Sequence, residues 1–329
     1  MKKLINDPNN VVTEMLAGLA KSDPSLRYLG EGVEVICRAK KKSGLVGLVS
    51  GGGSGHEPAH AGYVGYGMLD AAVSGNVFAS PSPDRIIEGI KAADSGKGVL
   101  MVIKNYSGDI MNFQMAAELA ETEGIQADYV VVKDDVAVPD STFSTGRRGI
   151  AGTVFVHKIA GAAAEAGKSL AEVKAAAQKV IDNVRSMGMA MSPCILPGVG
   201  KPGFQLAENE MELGMGIHGE PGINREAMCS AKDVARKLVD PILADLDYSG
   251  SEVAVMVNGL GGTPLMELYI MYNEVEALLS ERNIRIYQCF VGSYMTSLEM
   301  SGCSVTLLRL DDELKPLLDA PANTPAFKV

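Results

Sequence analysis

The chain has only five cysteines in 329 residues, Cys37, Cys194, Cys229, Cys289 and Cys303, with no C-x-x-C pair among them. An odd count at wide spacing argues against a disulfide framework and against a structural zinc site. No apolar run approaches the ~18–20 residues that a membrane-spanning helix needs. The start, Met1-Lys2-Lys3, turns polar by Asn6 to Asn10 and lacks the apolar stretch of a secretory signal. The expectation is a soluble, cytoplasmic protein without metal or membrane attachment. Basic blocks are scarce too. Thirty Lys and Arg face 40 Asp and Glu, a net charge of −10. The densest basic stretch is Arg38, Lys40, Lys41 and Lys42, expected at a solvated turn between strands. A nucleic-acid binder needs a basic face, so that class is set aside.

What remains is ordinary globular composition, 47% hydrophobic and 21% charged, which excludes collagen, disorder and coiled coil. At ~100–200 residues per domain, this length suggests two domains. Short apolar runs at Val33–Cys37, Leu45–Ser50, Val99–Ile103, Tyr129–Val132, Val253–Asn258, Ile284–Val291 and Val305–Leu308 read as strands. Helical spacing covers residues 11–20, 84–93, about 109–123, 153–184 with a break near Gly167, 232–246 and 264–279. Such alternation predicts an α/β protein of two domains, each a mostly parallel or mixed sheet flanked by helices. A composition shift near residues 186–195 divides the chain into 1–190 and 191–329.

Four histidines are easily weighed. His157 sits in an apolar helical run and reads as an accommodated structural residue. His56 to His60 spells His-Glu-Pro-Ala-His, the letters of a zinc-peptidase helix. That chemistry needs both rings on one face of a continuous helix. Here His56 follows five residues of which four are glycine, and Pro58 favours a helix start rather than a helix interior. His56 is therefore expected in a loop before a helix beginning near Pro58, and the zinc reading is a remote alternative.

The loop Gly51-Gly52-Gly53-Ser54-Gly55 follows a strand, where backbone amides can converge on a ligand's oxygens. A tight turn is its plain reading, and His56 beside it favours a site. No Walker A sequence occurs. Asp109, in Lys104-Asn-Tyr-Ser-Gly-Asp109 after a buried strand, suits a helix N-cap or a proton acceptor, and both roles are compatible. His218 lies in Gly214-Met-Gly-Ile-His-Gly-Glu-Pro-Gly222, where flanking glycines allow close approach to a small ligand. Gly259-Leu-Gly-Gly-Thr-Pro264 breaks dinucleotide spacing and reads as a strand-to-helix turn.

Taken with Gly146-Arg-Arg-Gly149, these motifs run in matching order along essentially the whole chain and resemble the dihydroxyacetone kinase family, in its substrate-binding K-subunit branch. The resemblance implies two α/β domains, a homodimer and dihydroxyacetone held as a covalent hemiaminal. By motif, the covalent histidine falls on His218 and the acid/base pair on His56 and Asp109. Substrate contacts fall on Gly53, Ser54, Gly55 and Lys104, with Ser80 a further contact of less motif support. It also implies that the phosphoryl donor sits elsewhere. ADP/ATP with magnesium is expected on a separate L subunit recharged by a phosphotransferase-system M subunit, because no helical nucleotide domain is expected after Pro321–Val329. A regulatory paralogue that senses dihydroxyacetone without turnover is the alternative.

Overall fold

The computed structural model describes residues 2–139 and 144–329. Two six-stranded sheets organise them. The first contains β1 (Leu26–Tyr28), β2 (Val35–Arg38), β3 (Gly47–Ser54), β4 (Ala71–Val77), β5 (Val99–Lys104) and β6 (Ala127–Val132), in the order β1-β2-β4-β3-β5-β6. The pairs β4–β3, β3–β5 and β5–β6 are parallel. The second contains β7 (Val184–Ala190), β8 (Glu210–Leu213), β9 (Asn224–Ala227), β10 (Glu252–Gly259), β11 (Arg285–Gly292) and β12 (Gly302–Leu310), ordered β11-β10-β12-β7-β8-β9. This sheet is mixed, and only its β10–β11 pair is parallel.

The helices are α1 (Val11–Ser22), α2 (Pro83–Ala93), α3 (Ser107–Thr122), α4 (Thr153–Glu165), α5 (Leu170–Asn183), α6 (Ala231–Asp245), α7 (Leu265–Glu281) and α8 (Leu314–Asp319). On one face of the first sheet, Ile86 and Ile90 of α2 and Phe113 of α3 pack on Val49 and Met101. On its other face, α4 is buried from Thr153 to Ala164. A largely apolar helix belongs in an interior, and α4, polar only at Thr153, His157, Lys158 and its end at Glu165, has that place: one core joins Phe155 and Ile159 to Leu48 and Leu100 of the first sheet and Met256 and Leu308 of the second. Gly167, at φ +76°, ends α4, and a Ser169–Glu172 capping box starts α5.

Several expectations change. The glycine run is not a loop: β3 continues through Ser54, paired with β4 as far as Val77 across a bulge. Small side chains let the strand persist where neighbours press close. No helix starts at Pro58; only a 3-10 turn follows, Ala61–Tyr63. The expected solvated basic turn is half turned inward, with Arg38 2.9 Å and Lys42 3.0 Å from Asp70. β7, ending at the expected domain boundary, belongs to the second sheet. The C-terminal residues return to the first, where Asn323 donates to the Tyr66 carbonyl and Ala326 to that of Gly62. Among the described residues, no helix is long and apolar enough to cross a membrane.

Candidate active site

The carboxyl ends of β3 and β5 meet the second sheet's loops, the end of an α/β sheet where ligands bind. The strap between β11 and β12 does the joining: Leu298 donates to the Gly55 carbonyl at 2.7 Å, and the Thr296 hydroxyl to that of Glu57 at 2.8 Å. It also holds His56, whose Nδ1 lies 2.8 Å from the Thr296 carbonyl oxygen. A carbonyl only accepts, so Nδ1 carries the proton and Nε2 keeps its lone pair. Nε2 is buried without a hydrogen-bond partner among the described residues. Burial, followed by the charges of His218 and Lys104, holds the His56 pKa well below the usual histidine range. His56 is a neutral, desolvated base.

His218 has a different partner. Its Nδ1 lies 2.9 Å from a Glu220 carboxylate oxygen, and the other oxygen accepts from the His218 amide at 2.9 Å. The carboxylate takes the Nδ1 proton's hydrogen bond and leaves Nε2 as the free nucleophilic nitrogen. Burial pushes the Glu220 carboxyl up, but His218 and Arg148 more than offset this and hold it at about 2. Three rings box the His218 imidazole edge-on: His56 at 4.6 Å, Tyr106 at 4.6 Å and Phe78 at 5.3 Å between centroids. Phe78 also stacks on His56 at 5.1 Å.

Asp109 sits at the third position of α3 rather than at its N-cap, which is Tyr106. The helix begins two residues earlier than the sequence pattern suggested. Asp109 Oδ2 is 3.8 Å from Lys104 Nζ, at the end of β5, and Oδ1 has no partner among the described residues. Gly52, at φ +147°, makes the approach possible, since a Cβ there would lie 2.6 Å from Lys104 Nζ and 3.2 Å from Asp109 Oδ2. Burial lowers the Lys104 pKa against the pull of Asp109 and Glu220.

Gly53, Ser80, Asp109 and His218 line one cavity of about 470 Å³, together with Phe78 and Tyr106. Ser54, Gly55 and Lys104, expected as substrate contacts, and His56, expected as an acid/base residue, do not line it: the Ser54 hydroxyl donates to the Gly75 carbonyl, the Gly55 amide to Glu57, and His56 and Lys104 are fully buried beside it. A cavity of about 800 Å³ at the amino ends of the same strands, beside Gly98 and Ser169, is larger but holds none of these groups. The site is identified by its chemistry, not its volume.

The zinc-like pair diverges. His60 Nδ1 faces His157 Nε2 at 3.0 Å and Ser50 Oγ at 3.3 Å, and its Nε2 accepts from Lys104 at 3.2 Å. His157 thus touches the polar interior rather than only apolar neighbours. Among the described residues no group of three or more His, Cys, Asp or Glu side chains could hold a metal ion. The sequence reading did not assign roles to Glu220, Thr296, Phe78 or Tyr106. Glu220 stands in the quoted glycine motif two residues from His218, a spacing that could have flagged it.

The cavity sets the His218 ring beside the Asp109 carboxylate, with the buried His56 ring packed behind His218, a grouping whose chemistry suits a small polar ligand. The Dak1 domain family model matches residues 17–326. The chain is 55% identical over 329 residues to the PTS-dependent dihydroxyacetone kinase 1, dihydroxyacetone-binding subunit DhaK, of Listeria innocua, covering 99% of this chain and 100% of that one. The solved C. freundii dihydroxyacetone kinase in complex with AMP-PNP and Mg2+ superposes with a TM-score of 0.93 at 37% identity, over 99% of this chain and 61% of that one. The dihydroxyacetone kinase operon co-activator DhaQ superposes at 0.90 with 39% identity, over 95% of this chain and 97% of that one. The chain belongs to the Dak1 family, on the dihydroxyacetone kinase DhaK branch.

Proposed function

We propose that this chain is the dihydroxyacetone-binding subunit of a dihydroxyacetone kinase and that it captures its substrate covalently on His218. The observation that carries this is the orientation of His218, with Nδ1 bound to Glu220 and Nε2 free in a cavity shared with Asp109. Nε2 adds its lone pair to the ketone carbon, and the carbonyl π pair moves to oxygen. The alkoxide takes one proton from water while Nδ1 releases its own to water by way of the Glu220 carboxylate, so a neutral hemiaminal forms with no net gain or loss of protons and Glu220 stays ionised. Glycerol has no carbonyl and cannot form this bond. Capture fixes a terminal hydroxyl, so phosphoryl transfer becomes a matter of positioning. His56 Nε2, neutral and unpartnered, and Asp109 Oδ1 take the hydroxyl proton as oxygen attacks phosphorus. Lys104 orients Asp109, and Gly53 and Ser80 wall the substrate.

The donor comes from outside the chain: ADP/ATP with magnesium on a separate L subunit, recharged by a phosphotransferase-system M subunit. The working state is a cytoplasmic homodimer. The test is native mass spectrometry with dihydroxyacetone, wild type beside His218→Ala. A hemiaminal adds one full substrate mass without losing water, whereas an imine on Lys104 would lose it. That adduct in wild type and none in folded His218→Ala is the expected result; an undiminished adduct in the variant overturns the assignment. A sensor without turnover is the second reading, favoured by the likeness to the DhaQ co-activator. Turnover with L and M subunits separates the two, and its absence in a capture-competent protein favours the sensor.

A further inference from the structure

The Gly146-Arg147-Arg148-Gly149 motif has no part in the chemistry so far. Its arginines behave differently. Arg147 reaches a partly exposed ion pair with Asp245 of α6. Arg148 is fully buried, and a buried guanidinium is costly unless its charge and donors are met. Nε lies 2.8 Å and Nη2 2.7 Å from one Asp135 oxygen, and Nη2 also donates to the Gly214 carbonyl at 2.7 Å. Asp135 and Arg148 lie between β6 and α4, while Gly214 opens the loop after β8 that carries His218 and Glu220. The remaining nitrogen, Nη1, has no hydrogen-bond partner among the described residues. It faces Glu220 across Gly216: a Cβ there would lie 2.7 Å from Nη1 and 2.1 Å from Glu220 Oε2. Only glycine leaves the charge and the carboxylate facing each other.

We propose that Arg148 is a positioning residue, its charge anchored on Asp135 and holding the Glu220 carboxylate against His218 Nδ1 so that Nε2 is the nitrogen presented to substrate. This rests on His218 being the capturing nucleophile. A neutral imidazole has two tautomers, and an ionised carboxylate beside Nδ1 selects the one with the Nδ1 proton. The Glu220 carboxyl stays at about 2 although buried, with Arg148 among the causes after His218. The other charged or titratable groups that couple to Glu220 are Lys104 and Tyr106. Asp135 and Tyr106 face Arg148 as well, and Asp134 lies beside Asp135.

The experiment compares Arg148→Met, Arg148→Lys, Glu220→Gln and the Arg148→Met/Glu220→Gln double variant. Nitrogen NMR reads the His218 tautomer in ligand-free protein, and native mass spectrometry reads dihydroxyacetone capture. Arg148→Met is expected to mix the tautomers and weaken capture about ten-fold. Arg148→Lys, which keeps the charge, is expected to recover most of both. In the Glu220→Gln background the Met change should add less than about two-fold, because its effect runs through Glu220. An equal loss in both backgrounds, or an unchanged His218 tautomer in folded Arg148→Met, overturns the proposal. Should Arg148→Met not fold, Gly216→Ala wedges between Nη1 and Glu220 and must shift the tautomer; a folded variant with no shift overturns it equally. Wild type that forms no adduct while its tautomer responds as stated would overturn the capture reading and leave the positioning role standing.

Discussion

The two histidines that meet edge-on at the cavity's rear donate Nδ1–H to different acceptors, and on the proposed mechanism the difference divides the work. His56, on the first sheet's side, is held by the neutral Thr296 carbonyl in full burial. Burial and the charges of His218 and Lys104 outweigh the one contact that favours an imidazolium, the Thr296 carbonyl, so the ring stays neutral. His218, from the second sheet's loop, is held by an ionised carboxylate. That partner can take up the positive charge generated when Nε2 forms a bond. On the proposed mechanism the His56 side moves a proton and the His218 side holds the adduct.

The comparison breaks first at the proton-moving wall. Asp109→Asn and His56→Gln should each lower turnover with L and M subunits by about 10²–10⁴-fold while dihydroxyacetone capture persists. Steady-state kinetics beside native mass spectrometry reads both, and capture lost together with turnover would merge the two roles. The adduct-holding wall should fail the other way. Glu220→Gln is expected to weaken capture by about 10–100-fold, whereas an unaffected adduct would leave the carboxylate idle.

Smaller effects test the scaffolds. Gly52→Ala places a methyl group on Lys104 and Asp109 at a backbone angle that favours glycine. A loss of about 2 kcal/mol or more in urea unfolding is expected, and wild-type stability would mean that the Lys104–Asp109 approach is looser than drawn. The buried histidines set the acid response. Burial, with Lys104 nearby, lowers the His157 pKa to about 3, below its unfolded value. Unfolding therefore takes up a proton at this residue as pH falls below about 6.5, and its contribution to stability declines from there to about pH 3. The slope is up to about 1.4 kcal/mol per pH unit. His56 and His60 are shifted the same way. His157→Gln should flatten the fall of urea midpoint with acid, and an unchanged slope would mean that His157 is protonated in the folded protein.

Much of this was legible in the chain. The run Val99–Lys104 declares a buried strand because every side chain in it is apolar until the last. The Ala-rich stretch after Thr153 declares a buried helix that breaks at Gly167. Where side chains were small or the segment short, the pattern was silent. β4, Ala-Ala-Val-Ser-Gly-Asn-Val, has no alternation to read, and β8 and β9 span four residues each in a glycine- and proline-rich stretch. The glycine run looked like a loop because strand propensity is low for glycine; the close approach of Val73 and Phe113 to Gly51 is a tertiary fact.

The sequence by itself determined the α/β alternation, the scarcity of histidine and the local settings of His56, Asp109 and His218, because spacing and residue chemistry are local properties. Tertiary structure decided the tautomers. Thr296 lies 240 residues from His56 along the chain, and Arg148 reaches the His218 loop from the other sheet. A hydrogen bond that fixes which nitrogen carries a proton depends on which chain segments meet. Here they meet because α4 is buried on every side and draws both sheets onto one core.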